Sequence, residues 1–150
     1  MGQLKANKKM EAETIREFAL IRNHFAFLFD EGYTVCYIEP AKHFNNWLID
    51  LKSDKYRIQF CEDRGELSIQ MGPGNAGTGW DGKPLYQISL LVFYTTDGKS
   101  WIGWHKTNED FQKASETFRE YQLQFEEILT EENLPRHEKK LHHAQRALTK

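Results

Sequence analysis

The chain has little cysteine and no long apolar run, and each shortage closes off a class of function. Two cysteines in 150 residues are too few for the disulfide scaffold of a small secreted domain. Cys36 and Cys61 each lie inside an apolar, strand-like run, where a free thiol behaves as a small buried hydrophobe. A bridge between neighbouring strands is geometrically open to them, but a reducing compartment opposes it. No stretch reaches the roughly 18–20 apolar residues of a membrane span. Met1–Lys9 is polar and basic, without the apolar centre of a signal peptide. Gly2 suggests myristoylation, but Ala6 stands where that motif takes Ser or Thr. These readings point to a soluble, cytoplasmic protein with no membrane contact.

Complete catalytic, metal and cofactor motifs are missing too, although several strings come close. Gly72-Pro-Gly-Asn-Ala-Gly77 spells a dinucleotide fingerprint. That fingerprint works only where the last glycine opens a helix whose free N–H groups hold a pyrophosphate, inside a βαβ unit. Gly77–Lys83 begins like a phosphate-binding loop, yet Pro84 replaces the Ser or Thr that ligates magnesium. His137-Glu138 with His142 resembles a zinc-protease helix with one residue too many. Ligands five apart are about 140° apart on a 3.6-residue turn. Glu62, Asp63 and Glu66 flank a hairpin turn, where Asp63-Arg64-Gly65 is turn chemistry. A Cys–His nucleophile would have to pair Cys36 or Cys61 with His24, His43 or His105, and both thiols read as buried. No cofactor and no metal are expected.

What is present is charge arranged along the chain. The net charge of −2 conceals +3 over residues 1–9 and +4 over residues 136–150, leaving −9 for the body. An acidic body is a poor match for nucleic acid, which needs a cationic face for phosphates. It suits a basic protein partner, reached by electrostatic steering.

The apolar pattern places the elements. Ile15, Phe18, Ile21, Phe25 and Leu28 recur at helical spacing, so a helix is predicted from about Lys9 to Glu31, ended by Gly32. The run His24–Phe29 is apolar nearly all round, which calls for burial on more than one side. Tyr33–Glu39 reads as a strand stopped by Pro40. Trp47, Ile49 and Leu51, then Tyr56, Ile58 and Phe60, then Leu67, Ile69 and Met71 alternate with polar residues, with turns at Ser53–Lys55 and Asp63–Gly65. Period-two alternation with short turns predicts an antiparallel meander, apolar on one face and wet on the other. Residues 72–82 read as a Gly-rich loop. Leu85–Thr96 fits strand by its β-branched and aromatic content and helix by Asp81, Pro84 and Gly98 as start and stop signals, and helix is preferred. A long helix is predicted over Thr107–Glu132, with a stripe of Phe111, Ala114, Phe118, Phe125, Ile128 and Leu129. Pro135 interrupts the chain, and a basic amphipathic helix with Leu141 and Leu148 on one side can follow.

The fold class expected is therefore α+β: an antiparallel meander of three or four strands packed against an N-terminal and a long C-terminal helix. Residues 1–135 form one domain, and 136–150 a basic C-terminal tail or short helix. Two surfaces are candidates for binding. One is the aromatic group Trp80, Trp101 and Trp104 with His105, since Trp offers a large rigid area and one donor; closing the open end of the core is the preferred reading of the same rings. The other is the acidic face of the long helix, with Glu109, Glu116 and Glu120, for which plain solvated surface is again the preferred reading.

The order of these elements, from Phe27-Leu28 and Gly32-Tyr33 through Asn46–Phe60 and Asp63–Gln70 to a tryptophan before a Leu-rich segment, resembles a group of short uncharacterised bacterial proteins. Some of that group are immunity proteins of toxin systems. The resemblance spans roughly residues 15–130; the Gly-rich stretch 72–79 and the basic C-terminus stand outside it. It implies a helical segment at 85–95 and a non-enzymatic, protein-binding role, and it carries no catalytic residue across. The alternative expectation is a small-molecule-binding or enzymatic domain with a pocket beside the Trp-rich loops.

Overall fold

The computed structural model describes residues 16–40, 46–63, 66–77, 84–100 and 108–148. Its elements run α1 (Phe18–His24), α2 (Ala26–Asp30), β1 (Thr34–Glu39), β2 (Trp47–Lys52), β3 (Tyr56–Asp63), β4 (Glu66–Pro73), β5 (Tyr86–Gln87), α3 (Ile88–Thr95), α4 (Asn108–Ile128) and α5 (Leu134–Leu148). The fold is α+β, and the sheet has five strands in the order β1-β2-β3-β4-β5, every neighbouring pair antiparallel.

The three central strands follow the alternation in the sequence. Leu51 faces Ile58, and Ile58 faces Met71; Ile49 faces Phe60, and Phe60 faces Ile69. Directly paired residues share a face, so these rows form the apolar side of the sheet. Ser53 closes the β2–β3 turn, its amide bonding the Tyr56 carbonyl at 3.0 Å and its Oγ accepting from the Tyr56 amide at 3.1 Å. The fifth strand is the addition to the expected three or four. It is two residues long, pairing Gln87 with Gln70 and Tyr86 with Met71. No periodicity can announce so short a strand. The expected glycine loop also starts later than residue 72, because Gly72 and Pro73 finish β4. A Cβ on Gly72 would lie 2.0 Å from the Pro84 carbonyl oxygen, so only glycine lets the returning chain approach the sheet there.

The second face of the sheet is not wet as expected. Leu48, Asp50, Arg57, Gln59 and Cys61 are buried, and Asp50 is 0% exposed. The register sets Tyr37 opposite Asp50, Asp50 opposite Gln59, and Gln59 opposite Gln70. Alternation reports polarity, and a row of polar groups facing one another across strands can leave water as a row.

Helices cover the apolar face. Instead of one N-terminal helix continuous to Glu31, two short helices meet at Phe25, whose backbone leaves helical geometry (φ −112°, ψ 29°). Packing causes the break. The Phe25 ring lies 4.9 Å from Phe60 of β3 and 6.1 Å from Phe118 of α4, both edge-on. Aromatic burial of this kind outweighs one weakened helical turn. Gly32 ends α2 as expected, with φ 98°; the Tyr33 amide reaches back to the Leu28 carbonyl and the Gly32 amide to Phe29. Residues 88–95 are helical although their composition favours a strand, because Ile88, Leu90, Leu91 and Val92 are all buried. A helix apolar on every side is stable only in the interior. Its start is Gln87, not Asp81 or Pro84. In α4 the stripe Phe111, Ala114, Phe118, Phe125 and Ile128 is buried as its spacing required. The Tyr56 hydroxyl donates to the Glu126 carbonyl oxygen at 2.9 Å, pinning the far end of α4 to the sheet. Pro135 sits in the first turn of α5, where its missing N–H costs nothing. Leu134 and Leu141 of α5 belong to the core.

One acid enters the apolar face. Glu62, 3% exposed, pairs directly with Trp47, whose indole Nε1 donates to its Oε2 at 2.8 Å. Glu62→Leu alone should destabilise the protein by about 1–3 kcal/mol, since it strands a buried indole N–H. Adding Trp47→Phe should recover part of that loss, measured by urea unfolding of the two variants. Phe25→Ala should cost about 3–5 kcal/mol in the same assay.

Candidate functional site

Once the apolar stripe of α4 is turned inward, helical spacing decides what is left outside. Glu116, Glu120 and Glu127 are exposed. Among them stands Leu123, 80% exposed and the one large apolar side chain fully in solvent among the described residues. Residues three, four and seven apart share a helix surface, so Leu123 is bordered by Glu116, Arg119, Glu120, Glu126 and Glu127. Arg119 is already engaged, its guanidinium lying 4.9 Å from the centre of the Phe27 ring. A lone exposed leucine is ordinary; a leucine framed by carboxylates combines an apolar anchor with a polar rim, the anatomy of a protein-binding patch.

The negative field reaches past α4. Glu31, at the end of α2, accepts from Gln122 Nε2 with both carboxylate oxygens, at 3.0 and 3.2 Å. Burial pushes the carboxyl of Glu126 above the usual range, and the charge of Glu31 pushes it further, with Lys55 opposing. The acidic surface thus runs from the α2 terminus across two turns of α4.

The residues read from sequence fare unevenly. Glu116 and Glu120 lie together on the outward face of α4. Glu109 is described only as backbone, at the start of that helix. Trp80, Trp101, Trp104 and His105 lie outside the described residues, as does His43. Leu123 and Glu31 were missed. Leu123 could have been found as the one apolar residue off the stripe of its helix, whereas the Glu31–Glu126 proximity is tertiary and leaves no trace in the spacing.

The thiols and histidines do not form a reacting pair among the described residues. Cys61 is buried and Cys36 half-buried, so only Cys61 is the core thiol expected of both; neither is in a disulfide. Cys36 is the extra residue where the β1–β2 register slips opposite Asp50, and burial pushes its thiol upward against the smaller opposing pull of Arg57. A thiol so shifted is a poor nucleophile at neutral pH. His24 stacks on Phe111, with ring centres 6.5 Å apart, and His137 shares a 2.7 Å hydrogen bond with the Tyr94 hydroxyl. Among the described residues no three His, Cys, Asp or Glu side chains are grouped to hold a metal. No described helix is long and apolar enough to cross a membrane.

Compared with known proteins, the chain matches no family model, no curated protein and no solved structure. The outward face of α4 must therefore be read from its own chemistry.

The raised Glu126 carboxyl gives that chemistry a sign. A carboxyl raised in the folded state favours folding below its unfolded pKa, and that contribution is lost as pH rises through the folded value. Glu126→Gln should therefore raise the melting temperature at pH 7, with the difference from wild type closing as pH falls through the carboxylate range. Calorimetry at several pH values checks this.

Proposed function

We propose that this chain is a non-enzymatic protein-binding domain, in the manner of the immunity-like proteins it resembles, and that it holds a basic partner on the outward face of α4. The observation that carries the reading is Leu123, 80% exposed amid Glu116, Glu120 and Glu127. Apolar contact at the centre would supply a slow off-rate, and the carboxylate rim would steer a lysine- or arginine-bearing surface into register. Glu31 and Glu126 widen the same field. The occupant is a cationic protein surface with a small apolar recess.

Photo-crosslinking tests this directly. With p-benzoylphenylalanine at position 123 in the native host, one basic protein should be captured. The purified partner should bind wild type with a dissociation constant that rises steeply with salt, and at least about tenfold for Glu116→Lys/Glu120→Lys, a change of roughly 1.4 kcal/mol. A captured protein with an acidic surface, or affinity that the charge reversal leaves unchanged, would contradict the proposal.

A further inference from the structure

A second surface, separate from the outward face of α4, lies where α5 crosses the end of α3. Eight residues of apolar helix end at Thr95, and the chain then has to turn sharply. It does so with the Gly98 amide bonding the Phe93 carbonyl at 2.8 Å and the Asp97 amide bonding the Tyr94 carbonyl at 3.3 Å. This is the paired-bond helix terminus that usually takes glycine at its left-handed position. Here Asp97 takes it, at φ 54°, with Gly98 following at φ 81°. Thr96 reinforces the turn, its Oγ1 donating to the Val92 carbonyl and accepting from the Ser100 amide. The turn fixes the last two aromatic side chains of α3. Phe93 lies against Gly98, where a Cβ would come within 3.3 Å of its ring. Tyr94 is held from the other side by His137 of α5, through the 2.7 Å hydrogen bond and an edge-on contact.

Leu134 and Leu141 anchor α5 in the core, which sets two of its rows over these rings. Lys139, His143 and Arg146 make one row at helical spacing; Lys140, Ala144 and Ala147 make the next. Between them and the rings opens a groove of about 500 Å³, with mostly apolar walls. That volume falls in the range of pockets that take a single small molecule. The rings of Phe93 and Tyr94 with Ala144 and Ala147 supply apolar wall, and Lys139, Lys140 and Arg146 line the same groove.

We propose that this groove binds a small organic anion with a flat apolar body: a carboxylate, sulfonate or phosphate ester on an aromatic or hydrocarbon frame. The rings take the body, and Lys140 and Arg146 take the anionic head. A long polyanion is the poorer match. Asp97 lines the groove itself and Glu138 is exposed on α5, so phosphates repeated along a strand would meet carboxylates, whereas a single head group needs only one cluster of cations.

The test uses the full chain and the fluorescent anion 1-anilinonaphthalene-8-sulfonate, with uncharged N-phenyl-1-naphthylamine as a second probe. Wild type should bind the anion saturably, one to one. Lys140→Glu/Arg146→Glu should weaken the anion at least about tenfold and leave the uncharged probe within about threefold. Ala147→Trp, at an exposed position whose larger side chain reaches into the groove, should weaken both probes at least about tenfold. Far-UV circular dichroism should match wild type for both variants. Anion binding that neither variant changes would overturn the proposal, as would the absence of saturation. Displacement of the anion by a single-stranded oligonucleotide at lower concentration than by unlabelled naphthalene sulfonate would also overturn it, making the site a polyanion surface.

Discussion

The Phe25 ring meets Phe60 of the sheet at 4.9 Å and Phe118 of α4 at 6.1 Å, and that three-way contact ties the N-terminal helices to the sheet and to α4 at the centre of the core. Phe118 in turn meets Phe125 edge-on at 5.7 Å, so one chain of rings links β3, the N-terminal helices and the C-terminal half of α4. Each fully buried ring is worth about 1.5–3 kcal/mol in transfer from water, and edge-on pairs add about 0.5–1.5 kcal/mol each. Together these exceed the cost of breaking helix geometry at Phe25. The chain accepts that break, keeps the ring in the junction, and lets α2 turn at Gly32 straight into the edge strand.

The same constraint sorts charge. With its rings facing inward, α4 can put its carboxylates only outward, and Leu123 is carried out with them. In the same way α5 commits Leu134 and Leu141 inward and is left with lysine, arginine and histidine outside. An acidic and a basic surface therefore arise from one packing arrangement. Within the core face, Glu62 is tolerated because the Trp47 indole donates to it; a buried carboxylate without such a donor would cost several times more.

Much of the architecture is legible in the residues, and the failures have physical causes. Trp47–Leu51, Tyr56–Phe60 and Leu67–Met71 alternate so regularly that their pairing follows, and the stripe of α4 and the glycine at 32 are equally plain. Period two also places Glu62 on the core face, after Phe60, though the acids around the turn draw attention away from it. Tyr86–Gln87 is too short to carry a period. Ile88–Thr95 has a strand's composition, and only its surroundings make it helix. The burial of Asp50, Arg57 and Gln59 depends on rows facing across strands, which a linear pattern cannot reveal. Of the binding surfaces, the acids of α4 can be read from spacing. The groove cannot, because it joins Phe93 and Tyr94 to residues more than forty positions away.

Amide hydrogen exchange on the free chain tests most directly the claim that one aromatic core carries both charged helices. Amides near Phe60 in β3, Phe118 in α4 and Leu141 in α5 should all be strongly protected and should lose protection together in Phe25→Ala. Exchange of the Leu141 region at unfolded-chain rates while β3 and α4 stay protected would contradict the account.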